Sequence, residues 1–150
     1  MKRLQVAALR NGTVIDHIPA NKLFKVFAIL DLSNCTETIT VGNNLNSQTV
    51  GKKGIIKISD RFFSQEEANK ISLIAPKAKI NIIKEYEVVE KRLLSLPDEV
   101  REIVQCVNPA CITNHQPVKT FFNVVTENDE THLRCHYCER DVKLEEVKLK

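Results

Sequence analysis

Four of the chain's five cysteines fall within one stretch, as Cys106, Cys111, Cys135 and Cys138. Their spacing is C-x4-C, then 23 residues, then C-x2-C. Zn²⁺ takes four thiolates at the corners of a tetrahedron, and a tight turn bearing two cysteines supplies two of them. Asn108-Pro109-Ala110 and His136-Tyr137 fill the two turns. Four protein ligands leave no open position for water, so the chemistry of such a centre is structural rather than hydrolytic. Two disulfides or an iron centre of rubredoxin type would use the same residues, and a reducing compartment favours metal over disulfides. His115, His132 and His136 lie close by, but a full cysteine quartet leaves them as exposed polar residues. Cys35 stands apart and reads as a small, partly buried apolar side chain.

A second group of residues could bind an anion. Lys52, Lys53 and Lys57 gather around one predicted strand, and Lys91-Arg92 closes another. A solvated positive face accounts for them as well as a phosphate site does. Neither G-x-x-x-x-G-K-[ST] nor G-x-G-x-x-G occurs, so the usual phosphate loops are absent. Asp16-His17, set between apolar neighbours, reads either as a polar pair at a strand end or as contacts to sugar hydroxyls and phosphate. Charge divides along the chain: residues 1–97 hold 15 Lys and Arg against 9 Asp and Glu, while residues 98–150 hold 7 against 10. The cysteine-bearing part is thus acidic before four thiolates are counted. Its few aromatic residues offer little for bases to stack on, and nucleic acid requires a basic surface. A zinc-ribbon adaptor for nucleic acid or transcription is therefore the weaker alternative, and a protein-docking platform the stronger.

The elements that position these residues follow from periodicity. Leu4, Val6 and Ala8 alternate, Arg10 to Thr13 reads as a turn, and Val14 to Ile18 is strand-like. Pro19 opens a helix with Leu23, Val26, Phe27 and Leu30 on one face. Glu37 to Val41 is a strand, Gly42 to Gln48 a polar loop, and Ile55 to Ile58 a short strand. Ser64-Gln-Glu-Glu67 is a capping box that opens a second helix, ended by Pro76. Lys79 to Lys84 and Tyr86 to Val89 are strands. The order predicts an α+β chain: a ferredoxin-like N-terminal domain, with two helices on an antiparallel sheet, over residues 1–97. After Ser95-Leu-Pro97, Asp98 to Val104 reads as a short helix. Lys119–Val125, Thr131–Cys135 and Val142–Val147 are predicted strands of a small β zinc ribbon over residues 98–150. Hydrophobic content of 43% suits a globular protein. No run approaches the ~18 apolar residues of a membrane span, and the N-terminal apolar stretch is short for a secretory signal. A cytoplasmic protein without membrane contact is expected.

Several stretches resemble the regulatory chain family of aspartate carbamoyltransferase. They are Gly12-Thr-Val-Ile-Asp-His-Ile-Pro-Ala20, Ile39-Thr-Val-Gly-x-Asn-Leu45, Ala75-Pro76 followed by Ile80-Asn81, Tyr86-Glu-Val-Val89, and the cysteine quartet. The resemblance implies a chain without an active site that serves pyrimidine biosynthesis. It implies an allosteric domain for CTP, UTP and ATP, and a zinc domain, holding one Zn²⁺, that docks on the catalytic chain. It further implies regulatory homodimers within a hetero-oligomer that also contains catalytic trimers. By the same resemblance Ala8, Leu9, Val14, Asp16, Asn81, Ile83, Tyr86 and Val88 contact base and ribose. Lys91 contacts phosphate, helped by His17, Lys53 and Lys57. Two positions depart from the family pattern, which has an acidic residue at Ala7 and a small neutral residue at Glu90. A carboxylate beside Lys91 is expected to oppose a triphosphate.

Overall fold

The computed structural model describes residues 9–47 and 51–149. The chain divides into two compact units, one ending at Ser95 and the other beginning at Leu96. The predicted strand over Leu4 to Ala8 lies outside the described residues.

The first unit runs β1 (Gly12–Pro19), α1 (Leu23–Ile29), β2 (Ile39–Ser47), β3 (Gly51–Ser59), α2 (Gln65–Ile71), β4 (Lys79–Lys84) and β5 (Glu87–Arg92). Its sheet is antiparallel, in the order β2-β3-β1-β4-β5. The first four strands have the expected ferredoxin-like arrangement, and β5 extends one edge. Side chains alternate across a sheet, so one set of positions must find apolar cover. Thr13, Ile15, Ile56, Ile58, Ile80 and Ile82 form that set and are buried. Leu23 and Val26 of α1, with Ala68 and Ile71 of α2, are the buried helix residues that complete the core. Gly54 lies opposite Ile18 in the register, and a Cβ there would come within 2.6 Å of the Leu23 side chain. The missing side chain is what lets α1 sit close to β3. The capping box at Ser64 is present, with Ser64 and Glu67 bonded reciprocally.

The second unit contains β6 (Glu99–Arg101), β7 (Val104–Gln105), β8 (Phe121–Glu127), β9 (Glu130–Cys135), β10 (Asp141–Lys143) and β11 (Lys148–Leu149). A four-stranded sheet has the order β10-β9-β8-β6, and β11 pairs with β7. Asn128 and Asp129 both have positive φ, 51° and 63°, as the tight two-residue turn between β8 and β9 requires. Apart from cysteines, the large buried side chains are few: Val100, Val104, Phe122, Leu133, Val142 and Val147.

Four local expectations change. Gly42 to Ser47 is strand rather than loop, because a bulge with Asn44 at φ 59° absorbs the irregular residues and pairing resumes at Leu45. Thr13 is not a turn residue; it is fully buried in β1 and donates to the Arg61 carbonyl at 2.7 Å. Asp98 to Val104 forms two short strands, not a helix. Glu102 takes φ 63° between them and donates its N–H to Thr120, while Val100 pairs with Phe122. The strand predicted over Val142 to Val147 is interrupted by a 3-10 turn at Leu144–Glu146. Among the described residues no helix is long and apolar enough to cross a membrane.

Gly12 adopts φ +143°, and a Cβ there would meet the Ile58 carbonyl oxygen at 2.0 Å. Gly12→Ala should therefore destabilise the first unit by about 2–4 kcal/mol through strain and lost β1–β3 pairing. Denaturant unfolding of the full chain checks this, and a change below about 0.5 kcal/mol contradicts it.

Candidate metal centre and effector face

The cysteines arrive on two turns. Asn108 closes the first, accepting the N–H of Ala110 on its side chain and that of Cys111 on its carbonyl, both at 3.0 Å. Asn114 fastens the same turn by donating to the carbonyls of Cys106 at 3.0 Å and Asn108 at 2.8 Å. In the second, the Glu139 N–H donates to the Cys135 carbonyl at 2.9 Å while Glu139 takes φ 63°. The four sulfur atoms lie within 4.8 Å of one another. The Cys106–Cys138 separation is 3.6 Å and the Cys111–Cys135 separation 3.7 Å. A tetrahedron with metal–sulfur bonds of about 2.3 Å has edges of about 3.8 Å, whereas a disulfide needs about 2.05 Å. The residues therefore fit one tetrahedral zinc-type ion, and all four thiols are free.

The surroundings act unequally on the four sulfurs. Burial pushes the Cys106 thiol up to about 12, with its Asn108 N–H bond acting the other way. Burial also raises Cys135, opposed by the N–H groups of Cys138 and Tyr137. At Cys138 burial acts upward too, but bonds from the Arg140 N–H, Asn108, Cys106 and Cys135 prevail and bring it down to about 7. Thr113 donates to the Cys111 sulfur at 3.2 Å. Buried thiols that hold their protons are poor isolated anions, and a divalent cation replaces those protons. The histidines are not ligands. His115 and His136 are exposed, as expected, with Nε2 of His115 2.6 Å from the Pro109 carbonyl. His132 is half-buried instead, with Nε2 3.3 Å from Asp141.

In the first unit the helices cover one face of the sheet, and among the described residues no helix covers the other. Register places Lys57 opposite Val14, Val14 opposite Asn81, and Asn81 opposite Lys91. One cross-strand row thus runs over β3, β1, β4 and β5 with a cation at each end, three strand spacings or about 14 Å apart. Ile83 and Val88 form the next pair along, and Tyr86 lies exposed at the hairpin tip. That tip is a two-residue turn with Glu85 at φ 50° and Tyr86 at φ 67°. It is tied to the segment beside Leu9: the Tyr86 N–H donates to the Arg10 carbonyl at 2.9 Å, and the Glu85 N–H to the Asn11 side chain at 3.1 Å.

Asp16 and His17 sit where β1 bulges, with His17 at φ 59°. Asp16 lies 3.0 Å from the Lys53 ammonium, and its carboxylate accepts the His17 N–H at 2.6 Å. The His17 Nδ1 is 3.6 Å from the same carboxylate and is buried without a hydrogen-bond partner. Burial lowers the Lys57 ammonium from its ordinary value, with Asp16 pulling it back. The structure thus brings Val14, Asp16, Lys53, Lys57, Asn81, Ile83, Val88 and Lys91 to one side of the sheet, with His17 at the bulge. Ala8 lies outside the described residues. Sequence reasoning missed Lys79, exposed on this same side opposite Asp16; strand alternation from Asn81 was the available signal. Glu90 lies elsewhere than its place beside Lys91 in sequence suggests. That residue pairs with Ile82, on the side opposite Lys91, and lies 3.4 Å from Arg92.

A helix-backed antiparallel sheet and a separate ribbon carrying a four-cysteine cluster define a two-unit, metal-binding chain. Residues 4–95 match the family model described as the aspartate carbamoyltransferase regulatory chain, allosteric domain, and residues 98–148 match its metal binding domain. A chain of that name from Bacteroides fragilis is 56% identical over 144 residues, covering 96% of this chain and 94% of the relative. One from Pyrococcus abyssi is 47% identical over 149 residues, covering 98% and 97%. The chain belongs to the aspartate carbamoyltransferase regulatory chain family. It is a non-catalytic subunit with an allosteric and a metal-binding domain, and the nucleic-acid adaptor reading is not favoured.

Removing the metal with a thiol-reactive mercurial should unfold the second unit alone, since its apolar core is small. Amide exchange should show protection lost beyond residue 96 and kept in β1 to β5. Cys111→Ser should reproduce the loss, and Cys35→Ser should not. Because protons compete with metal for the thiols, apparent metal affinity should fall as pH falls from 8 to 5. A pH-independent affinity would refute a thiolate centre.

Proposed function

We propose that the open face of the first unit is the site of a nucleoside triphosphate effector, with CTP, UTP and ATP as its ligands. The base and ribose rest on Leu9, Val14, Asn81, Ile83, Tyr86 and Val88, with Asp16 on the sugar, and the family resemblance adds Ala8 to these contacts. Lys91 holds the phosphates, with Lys53, Lys57 and His17. The observation that carries the reading is the cross-strand row, in which Lys57 and Lys91 flank an uncharged floor of Val14 and Asn81. The buried, unpartnered His17 nitrogen adds a group that a phosphate or hydroxyl oxygen could satisfy. Lysine suits this role as a compact point charge. Glu90, on the other side of β5, lies against Arg92.

In this reading residues 1–97 are the effector-binding domain, and residues 98–150 hold one Zn²⁺ and dock on the catalytic chain of aspartate carbamoyltransferase. Two such chains pair through their first units, and the pairs join catalytic trimers in a cytoplasmic hetero-oligomer of pyrimidine biosynthesis. Regulation follows from differential binding. A pyrimidine triphosphate favours one quaternary state and a purine triphosphate the other, with a reciprocal coupling of about 1–3 kcal/mol.

Lys91→Ala should weaken triphosphates by about 1.5–3 kcal/mol while barely changing the corresponding nucleosides. Calorimetry on the purified chain decides. Equal losses for nucleoside and triphosphate would remove Lys91 from the phosphate site.

A further inference from the structure

The last residues of the first unit are fastened to α2 by side chains. Arg92, at the end of β5, donates through its guanidinium to the Phe63 carbonyl, just before the Ser64 cap. The Leu93 carbonyl accepts from the Gln65 amide at 2.8 Å, and the Ser95 N–H donates to the Asn69 side-chain oxygen at 3.1 Å. Gln65 and Asn69 are one turn apart on α2 and bonded to each other at 2.9 Å, so each steadies the other. The Ser72 hydroxyl lies 3.3 Å from the Ser95 carbonyl. Both principal bonds reach main-chain atoms, so they hold residues 93–95 in place whatever their side chains. These residues offer little apolar anchorage of their own, since Leu93 is 85% exposed. Lys91 lies immediately before this strap, and Ser95 is the last residue before the second unit.

We infer that Gln65 and Asn69 form a latch on the strap at residues 93–95, and that they are positioning residues for allosteric coupling. The inference rests on the effector reading of the open face. A ligand that draws on Lys91 moves or stiffens β5. The latch passes that change into the only covalent path to the second unit, instead of letting a slack strap absorb it. Neither residue lies on the open face of the sheet, so binding and coupling are separable. Asn69 uses its side-chain oxygen for both Ser95 and Gln65, so an aspartate there preserves both bonds and a leucine removes both.

The test uses the full chain, alone and assembled with its catalytic partner, for N69L and N69D. In the free chain, exchange of the Ser95 amide should speed up about fivefold or more in N69L and stay near the parent rate in N69D. Calorimetry with ATP and CTP should give affinities within about twofold of the parent for both variants. In the complex, activity without nucleotide should be unchanged. The response to nucleotide should shrink about fivefold or more in N69L and persist in N69D. An N69L complex with its full nucleotide response would overturn the latch, as would a response lost only in step with nucleotide affinity. If ATP and CTP fail to bind the parent chain, the effector reading itself falls, and the latch with it. That result is distinct because it needs no variant.

Discussion

The period-two alternation of β-strands is the constraint from which the first unit follows. Five strands present two faces, and the chain supplies helices for one. Ile15, Ile56, Ile58, Ile80 and Ile82 all point to the covered face and are buried. Their neighbours Val14, Lys57, Asn81 and Lys91 must then point the other way. A slip of one residue between β1 and β4 would bury Asn81 and expose Ile80 and Ile82, so register is held by the full weight of the core. The same weight holds the spacing of the charged groups on the open side. The bulge after Ile15 is the one local departure in β1, and it is where Asp16 and His17 gather.

The second unit uses a different source of cohesion. Its short strands bury too few large side chains to order more than fifty residues on their own. A tetrahedral ion held by the four sulfurs would close the deficit by linking the two turns. The asparagines complete the arrangement. Asn108 and Asn114 satisfy the backbone of the first turn, so it holds its shape around the ligand pair. The chain thus joins an allosteric domain to a metal-binding one, each with its own source of cohesion. One unit is built on a hydrophobic core, and the other on a small core beside a four-cysteine cluster.

Much was legible in the residues themselves. The quartet of cysteines announced a ligand cluster by spacing, because ligand turns are local and two or four intervening residues suffice to make them. Ser64 and Glu67 announced the start of α2, since a capping box is complete within four positions. The order of strands and helices, and the resemblance of residues spread along the chain, were enough to reach the family. Where only local geometry was at stake, composition and spacing were sufficient.

Other features were decided in the fold, because they depend on pairings between residues far apart in the chain. Asp98 to Val104 has helical credentials in isolation, yet Val100 lies opposite Phe122 and Val104 opposite Leu149, and those partners impose strand. Glu90 looked like a rival to Lys91 until register set the two on opposite sides of β5. Lys57 and Lys91 became ends of one row only when β3, β1, β4 and β5 were laid side by side. The grip of α2 on Leu93 and Ser95 joins positions 26 or more residues apart. The sequence by itself determined the candidate metal ligands, much of the core and the family. The tertiary structure alone decided which charges share a face, since a strand's side chains acquire neighbours only from the register of the strands beside it.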